Sequence, residues 1–330
     1  MRRKKPVKVA VIGAGNMGRY HVRNYSDLEE SELLAIADMN PETKDLARQY
    51  GVRYYRDYKD MLDKEQPQAV TLAVPTPFHH LIGKDIISRG IHLLIEKPIA
   101  STIQEAEELI ALAQKHKVIL TVGHIERFNP IIRKLKELID DKRLGRITSI
   151  VCKRVGGFPA TVPKTDVIID LAVHDIDIMS YLLGKRPKKI HSHGSRTLHS
   201  EKIDSAEILL DFGNASGFVQ ANWVTPVKVR TIAVTGSRGY VEGNYLTQEL
   251  AYYEHNMKPI SEKVGFKGFV QQLGEARQHS IDVPKEEPLA AELKAFLRAI
   301  RKEGNDHVQA KDAKEALMYA LASLENALGA

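Results

Sequence analysis

Val7 to Ile12, apolar but for Lys8, runs straight into Gly13-Ala14-Gly15-Asn16-Met17-Gly18, and no other stretch restricts the fold of this chain as tightly. Glycines at this spacing permit a tight turn from strand into helix. They also let backbone N–H groups at the helix start approach a pyrophosphate, where the partial positive helix end favours an anion. Asp38 closes the second apolar run, twenty residues past Gly18. A carboxylate there accepts hydrogen bonds from adenosine ribose hydroxyls and repels a 2′-phosphate. The glycine spacing alone is a weak signal, but strand, turn, helix, strand and terminal acid in register predict a dinucleotide site that takes NAD rather than NADP. On the residues alone a plainer alternative stays open, in which the glycine turn only packs helix on strand and Asp38 caps a turn.

Up to residue 122 short apolar runs alternate with amphipathic stretches of helix length, the pattern of a doubly wound parallel sheet. The predicted strands are Val7 to Ile12, Leu33 to Ala37, Ala69 to Ala73, His92 to Ile95 and Val118 to Val122. The predicted helices are Asn16 to Tyr25, Pro41 to Tyr50, Phe78 to Ser88 and Thr102 to His116, the last with Ser101 as cap. After Gly123 a helix over Pro130 to Asp140 is followed by strand-like runs at Ile147 to Val155, Glu207 to Phe212, Ser216 to Trp223, Val229 to Thr235 and Gly239 to Asn244. Turn signals separate them, which predicts an antiparallel meander in an α+β domain. Residues 255 to 285 are polar and weakly patterned, while Leu289 to Ile300 and Ala310 to Leu328 have helical spacing. At 330 residues the chain is about twice a typical domain. We expect one domain over 1–122 and a second over 123–330, with the C-terminal helices free to pack back on the first.

Charge and cysteine usage narrow the class. The net charge is +6, and Arg2, Arg3, Lys4 and Lys5 supply most of it before the first acidic residue. The remainder is nearly balanced, so no basic face for nucleic acid is expected. A single cysteine, Cys152, rules out a disulfide within the chain. No apolar run is long enough to span a membrane. The basic start before Val7 mimics a secretory signal only briefly, because the apolar stretch ends in glycines after six residues. The expected compartment is the cytoplasm.

The stretch from Val167 to Leu183 is apolar almost all round and reads as a buried helix. Asp170, His174 and Asp177 fall at i, i+4 and i+7 on it, one stripe on one face. Titratable clusters on buried helices favour functional sites. The bland alternative is a hydrogen-bonded structural histidine between two capping carboxylates.

Further motifs complete the picture: Ala73-Val74-Pro75-Thr76 with His79, Glu96-Lys97-Pro98 after the His92 strand, Gly123-His124 with Arg127-Phe128-Asn129-Pro130, and Asp170-Leu-Ala-Val-His174-Asp-Ile-Asp177. Together with the glycine fingerprint they resemble the glucose-fructose oxidoreductase and inositol dehydrogenase family (Gfo/Idh/MocA) over nearly the whole chain. The resemblance extends to a microbial subgroup that oxidises the 3-hydroxyl of UDP-N-acetylglucosamine. It implies an N-terminal Rossmann domain, a C-terminal α+β domain built on an open, mostly antiparallel sheet, and oxidation of a secondary alcohol of a sugar or cyclitol. By position it assigns Lys97, Asp170 and His174 as catalytic. It likewise assigns Gly13, Gly15, Asn16, Met17, Gly18, Asp38, Ala73, Val74, Pro75, Thr76, His79, Glu96, Lys97 and His124 as neighbours of NAD, and favours a cis Lys97–Pro98 bond.

Alcohol oxidation needs a base for the hydroxyl proton and a positive group for the forming alkoxide. His174 suits the first, with an ordinary pKa of about 6.5, and Lys97 the second; a buried lysine could exchange these roles. Asp170 would orient the imidazole and Asp177 stand behind it. Arg127, Arg154, Asn222, Trp223 and Arg230 are the candidates for substrate, since guanidinium forks suit phosphate and aromatics a uracil ring; core packing is the simpler reading of Trp223. His191, His193 and His199 lack acidic or cysteine partners nearby, so no metal is expected. The partners expected are a small sugar or sugar-nucleotide substrate and further copies of the chain, as a homodimer or homotetramer, because one sheet face would expose apolar surface. Two alternatives remain: a free-sugar or inositol dehydrogenase, and a non-catalytic NAD-binding regulatory protein.

Overall fold

The computed structural model describes residues 5–159, 165–254 and 277–329. The chain forms two compact units, Met1–Phe128 with Glu286–Met318, and Asn129–Lys285 with Tyr319–Ala330.

The first unit is built on a six-stranded parallel sheet in the order β3 (Arg53–Tyr55), β2 (Ser31–Ala37), β1 (Val7–Ile12), β4 (Ala69–Leu72), β5 (His92–Glu96), β6 (Leu120–Gly123). Val9, Val11, Val70, Leu72, Leu93 and Leu94 are buried, as expected for strands covered on both faces. The strand order reverses between β1 and β4, and ligands of open α/β sheets bind outside the carboxyl ends at such a point. Gly13, Ala73, Lys97 and His124 all follow strands at that edge.

The helices here are α1 (Gly18–Asp27), α2 (Thr43–Gln49), α3 (Tyr58–Glu65), α4 (His79–Ser88) and α5 (Ile103–His116). Thr102 rather than Ser101 caps α5. Glu105 lies three residues on and closes a capping box, its carboxylate accepting the N–H groups of Ser101 and Thr102. β3 and α3 fill a stretch left unassigned from sequence, and Asp57 caps α3 by accepting the Lys59 N–H at 2.8 Å.

The second unit carries an eight-stranded sheet in the order β14 (Arg277–Ile281), β13 (Glu249–Glu254), β12 (Gly239–Asn244), β11 (Val229–Gly236), β7 (Ile147–Val155), β10 (Ser216–Asn222), β9 (Ser205–Asp211), β8 (Lys189–Ser195). It is not a simple meander. β7 pairs with β10 in parallel, because the chain leaves β7 through a helix and two further strands before returning in the same direction. Part of the polar stretch 255 to 285, residues 255–276, lies outside the described residues. β8, β13 and β14 were not expected from the sequence pattern.

Two helices of this unit, α6 (Pro130–Asp140) and α7 (Val173–Leu183), pack together, and α7 also lies on β7 and β10. The expected continuous helix over Val167 to Leu183 is interrupted: Ile168–Ala172 is a π-helical turn that feeds α7. The wider turn shifts the helical phase, so the predicted stripe breaks up. Asp170 and His174 are half-buried while Asp177 is fully buried, and so is Asp175, which the stripe did not include. Two helices close the chain, α8 (Pro288–Ile300) in the first unit and α9 (Ala310–Gly329), which begins in the first unit and ends in the second.

Candidate active site

In the first unit the glycine turn is shaped by close approach. Gly13 has φ +85°, and a Cβ on it would lie 2.7 Å from the Ala73 carbonyl oxygen. A Cβ on Gly18 would meet the Gly13 carbonyl oxygen at 1.9 Å. At Gly15 a Cβ would meet nothing within 4 Å, and Gly15 and Asn16 are exposed. The turn is therefore closed on the protein side and open on the other. Met17 precedes α1 and gives it no side-chain cap, and the positive end of the helix dipole favours an anion on the open side of the turn. These observations fit the pyrophosphate of a dinucleotide.

Asp38 does more than end β2. Its Oδ2 accepts the Ala14 N–H at 2.6 Å and its Oδ1 the Asn40 N–H at 2.8 Å, while the Tyr54 hydroxyl donates to its carbonyl at 2.9 Å. A carboxylate has about four acceptor positions, so capacity for ribose hydroxyls remains. The plainer capping reading is thus part of the same arrangement rather than its rival.

The loops after β4 and β5 are joined by His79, which lies between the carbonyls of Val74, 2.8 Å from Nε2, and Pro98, 2.9 Å from Nδ1. Burial lowers its pKa, with the two carbonyl hydrogen bonds and the Glu96 charge opposing. His79 thereby ties Ala73-Val74-Pro75-Thr76 to the Lys97 turn, where the Lys97–Pro98 bond is cis. Lys97 is half-buried at the carboxyl end of β5. Glu96, expected beside the cofactor, turns its carboxylate inward to His21 Nε2 at 2.7 Å. His124 is buried, and Arg127 holds Asp312 at 3.0 Å at the start of α9. His21, inside α1, was missed from sequence because a lone polar residue in an amphipathic helix carries no motif.

In the second unit, Asp170 and His174 sit where the π turn passes into α7. That junction is anchored by Asp166, whose carboxylate accepts the Ile203 N–H at 2.8 Å, and by the Val167 N–H on the Ile203 carbonyl at 3.0 Å. π turns within helices recur at functional sites. Asp175, the missed acid, takes the guanidinium of Arg154 on β7, and that guanidinium lies 5.0 Å from the centre of the Tyr245 ring.

Arg154, read as a diphosphate ligand, is therefore a buried cation already held by a carboxylate. Arg230 stands directly opposite it in the β7–β11 register and donates to the Val155 and Val229 carbonyls. Asn222 accepts the Val224 and Thr225 N–H groups and shapes the turn after β10. Trp223 is buried edge-on to Phe158, with ring centres 6.0 Å apart, in keeping with core packing. His191 and His193 are exposed on β8, and no metal-holding cluster exists among the described residues.

A parallel sheet with this strand order, an open glycine cradle and an acid at the end of β2 define a Rossmann domain of the NAD-binding kind. The NAD-binding Rossmann-fold model of the GFO/IDH/MocA oxidoreductase family matches residues 7–124, and that family's C-terminal domain model matches residues 132–242. The chain belongs to this family, whose members act on CH–OH groups. It is 27% identical over 296 residues to UDP-N-acetylglucosamine 3-dehydrogenase of Acidithiobacillus ferrooxidans, covering 89% of this chain and 88% of that one. A solved structure of that name and organism superposes with a TM-score of 0.86 at 25% identity over 98% of both chains. The scyllo-inositol 2-dehydrogenase (NAD(+)) of Bacillus subtilis is 26% identical over 249 residues, covering 70% of this chain and 72% of that one. A levoglucosan dehydrogenase in complex with NADH shares the fold, with a TM-score of 0.85 at 19% identity over 98% of both chains.

Proposed function

We propose that the protein oxidises the 3-hydroxyl of UDP-N-acetylglucosamine to the ketone. Similarity to a UDP-N-acetylglucosamine 3-dehydrogenase over 89% of the chain carries this reading. Lys97, Asp170 and His174, at the family's catalytic positions, support it. NAD, when bound, supplies the hydride acceptor. The glycine turn and Asp38 hold its pyrophosphate and adenosine ribose. Lys97 stabilises negative charge on the substrate oxygen, worth most where water is scarce. His174 takes the hydroxyl proton at Nε2 or Nδ1, and Asp170 orients the ring. Arg154 and Arg230 stand opposite each other in the β7–β11 register. Because Asp175 neutralises Arg154, Arg230 is the arginine we assign to the diphosphate.

The test is NADH formation followed by absorbance with UDP-N-acetylglucosamine, free N-acetylglucosamine, glucose and inositol. Turnover confined to the nucleotide sugar is expected, with UDP competing against it but not against NAD. Binding energy from the remote UDP group also orients the reacting hydroxyl, so the free sugar should lose kcat as well as affinity. Comparable kcat/KM for free and UDP-linked sugar would transfer the assignment to a simple sugar or cyclitol dehydrogenase, the reading that the inositol dehydrogenase relative favours.

We also propose that the enzyme is a homo-oligomer joined through the sheet face that carries Phe218, Leu209 and Val151. Phe218, Leu209 and Val151 stand side by side in register there, 38%, 46% and 42% exposed. A contiguous apolar row of this kind on a sheet marks an interface. No described helix is long and apolar enough to cross a membrane, and we assign the enzyme to the cytoplasm.

A further inference from the structure

Helix α8 carries into the first unit a carboxyl group that the proposed chemistry leaves unused. Its start is pinned to α1, where Arg23 and Asn24 both reach Glu287. Beyond its end Arg301 donates to the carbonyls of Lys5 and Glu30 at 3.0 Å. Between these anchors Leu289, Leu293, Phe296 and Leu297 enter the core. Glu292 goes in beside them, 2% exposed, and neither of its carboxyl oxygens meets a hydrogen-bond partner among the described residues. On α1, His21 is fully buried with Nε2 on Glu96, and its Nδ1 likewise meets no partner. Tyr25, one turn further along α1, shares its hydroxyl with Thr71 at 2.9 Å. Buried polar atoms in native proteins are satisfied by protein or by internal water. Three unsatisfied atoms on two helices that pack together call for such a bridge.

The charges give this cluster a direction. Burial opposes ionisation of Glu96, but the hydrogen bond and charge of His21, the Lys97 charge and the Lys97 backbone N–H outweigh it and hold the carboxyl below its ordinary range. Glu292 is driven well above that range, first by burial and then by the Glu96 charge. An ionised Glu96 can only accept, so His21 Nε2 carries the donated proton. A neutral acid offers both an O–H and a carbonyl oxygen, so it can satisfy Nδ1 without placing a second negative charge behind Lys97.

The remaining charged groups near α8 have interactions of their own, Lys294 with Glu286 among them. Arg127 pairs with Asp312, Arg298 with Asp306 and Arg23 with Glu287, and Glu126 is half-buried on the turn that packs against α8. β6 stays bare beside the Glu96 carboxylate, since a Cβ on Gly123 would lie 2.8 Å from Glu96 Oε2.

We propose that Glu292 is a positioning residue for Lys97, a neutral acid that hydrogen-bonds His21 through internal water and so fixes the Glu96 carboxylate that receives the Lys97 backbone N–H. This rests on the reading of Lys97 as catalytic. Two arms of the test need no substrate. Infrared spectra of the full chain at about pH 8, well above an ordinary carboxyl pKa, should show the C=O stretch of a protonated carboxyl that Glu292→Gln removes. An acid whose folded pKa is raised binds more protons folded than unfolded above about pH 4.3, so its burial costs increasing stability as pH rises. Glu292→Gln should therefore melt higher than the native chain at about pH 8, with the gap closing toward about pH 5.

The third arm is kinetic. Glutamine keeps a donor and an acceptor, so Glu292→Gln should stay within about threefold of native kcat/KM. Glu292→Met should lose about tenfold, the scale of one lost hydrogen bond, with an altered pH profile and native NAD affinity. Absence of the native infrared band overturns the neutral acid, and a native rate and pH profile in Glu292→Met overturns the positioning role. A chain with no turnover on any sugar overturns the proposed function instead, while the infrared and melting arms still decide the state of Glu292.

Discussion

Arg154 and Asp175 face each other fork to fork inside the second unit, Nε to Oδ2 at 2.8 Å and NH2 to Oδ1 at 2.9 Å, with side chains 5% and 1% exposed. The pair joins β7 to α7, the helix that carries His174. Removing one partner strands a buried charge, which costs about 3–5 kcal/mol. Asp175→Asn should lower unfolding stability on that scale in denaturant titration. The double variant Arg154→Met with Asp175→Leu should recover much of the loss, because neither charge of the pair is then left without the other. Additive losses in the double variant would show that the two side chains act separately.

Such a pair is hard to read from sequence, and the reason is physical. β1, β4 and the glycine turn are legible because strands buried on both faces leave continuous apolar runs and the turn needs its glycines. Lys97 and His174 are legible as motif positions. Asp175 was passed over for Asp177 because the face of a helix was counted at 3.6 residues per turn, and the π turn at Ile168–Ala172 changes that count. His21 and Glu292 lie far apart in sequence. Each looks like an ordinary polar residue of an amphipathic helix until α8 is known to fold against α1. β3 and α3 are short and mostly polar, so neither period rises above background.

Cofactor choice should follow Asp38. Met39 beside it is 78% exposed and can carry a new cation into the space of a 2′-phosphate. Asp38→Ala with Met39→Arg should move the ratio of kcat/KM for NADP over NAD upward by about tenfold or more, the worth of one charged hydrogen bond. Asp38→Ala alone should weaken NAD binding without gaining NADP, because it also releases the Ala14 N–H that shapes the glycine turn. Equal use of both cofactors by the native protein would sink this assignment.

One buried and two half-buried histidines predict acid sensitivity with a definite sign. His79 has its pKa lowered mainly by burial, and burial lowers those of His92 and His307 as well. An unfolded histidine protonates near about pH 6.5, so below that pH the unfolded chain holds more protons than the folded one. Stability is therefore lost as pH falls below about 6.5, before carboxylates such as Glu96 begin to titrate. His79→Gln keeps a polar amide between the two loops and should flatten the fall of Tm between about pH 7 and about pH 5. An unchanged slope in that variant would assign the sensitivity to the other two histidines.

The apolar row of the open sheet should set the oligomeric state. Phe218→Lys with Val151→Lys places like charges at neighbouring register positions on adjacent strands, where a self-complementary interface would bring them together again. Light scattering should show the native chain as an oligomer and the double variant as a smaller, still folded species with a lowered Tm. A native monomer would remove the interface altogether.

The last prediction separates chemistry from binding at the two proposed catalytic groups. Lys97 follows a strand of the first unit and His174 begins a helix of the second, so neither is needed for the other's local fold. If His174 takes the hydroxyl proton and Lys97 steadies the oxygen, both act more strongly in the transition state than in the bound ground state, and their loss falls on kcat. His174→Ala and Lys97→Ala should each lower kcat by about 10²-fold or more while NAD affinity, measured by fluorescence quenching, changes little. Asp170→Asn should be impaired less, because the imidazole remains and only its orientation is disturbed. In Lys97→Ala, a pH profile that keeps an essential base near about 6.5 would leave His174 as the proton acceptor, whereas loss of that limb would give the role to Lys97. Near-native turnover in a folded His174→Ala would return that histidine to a structural role.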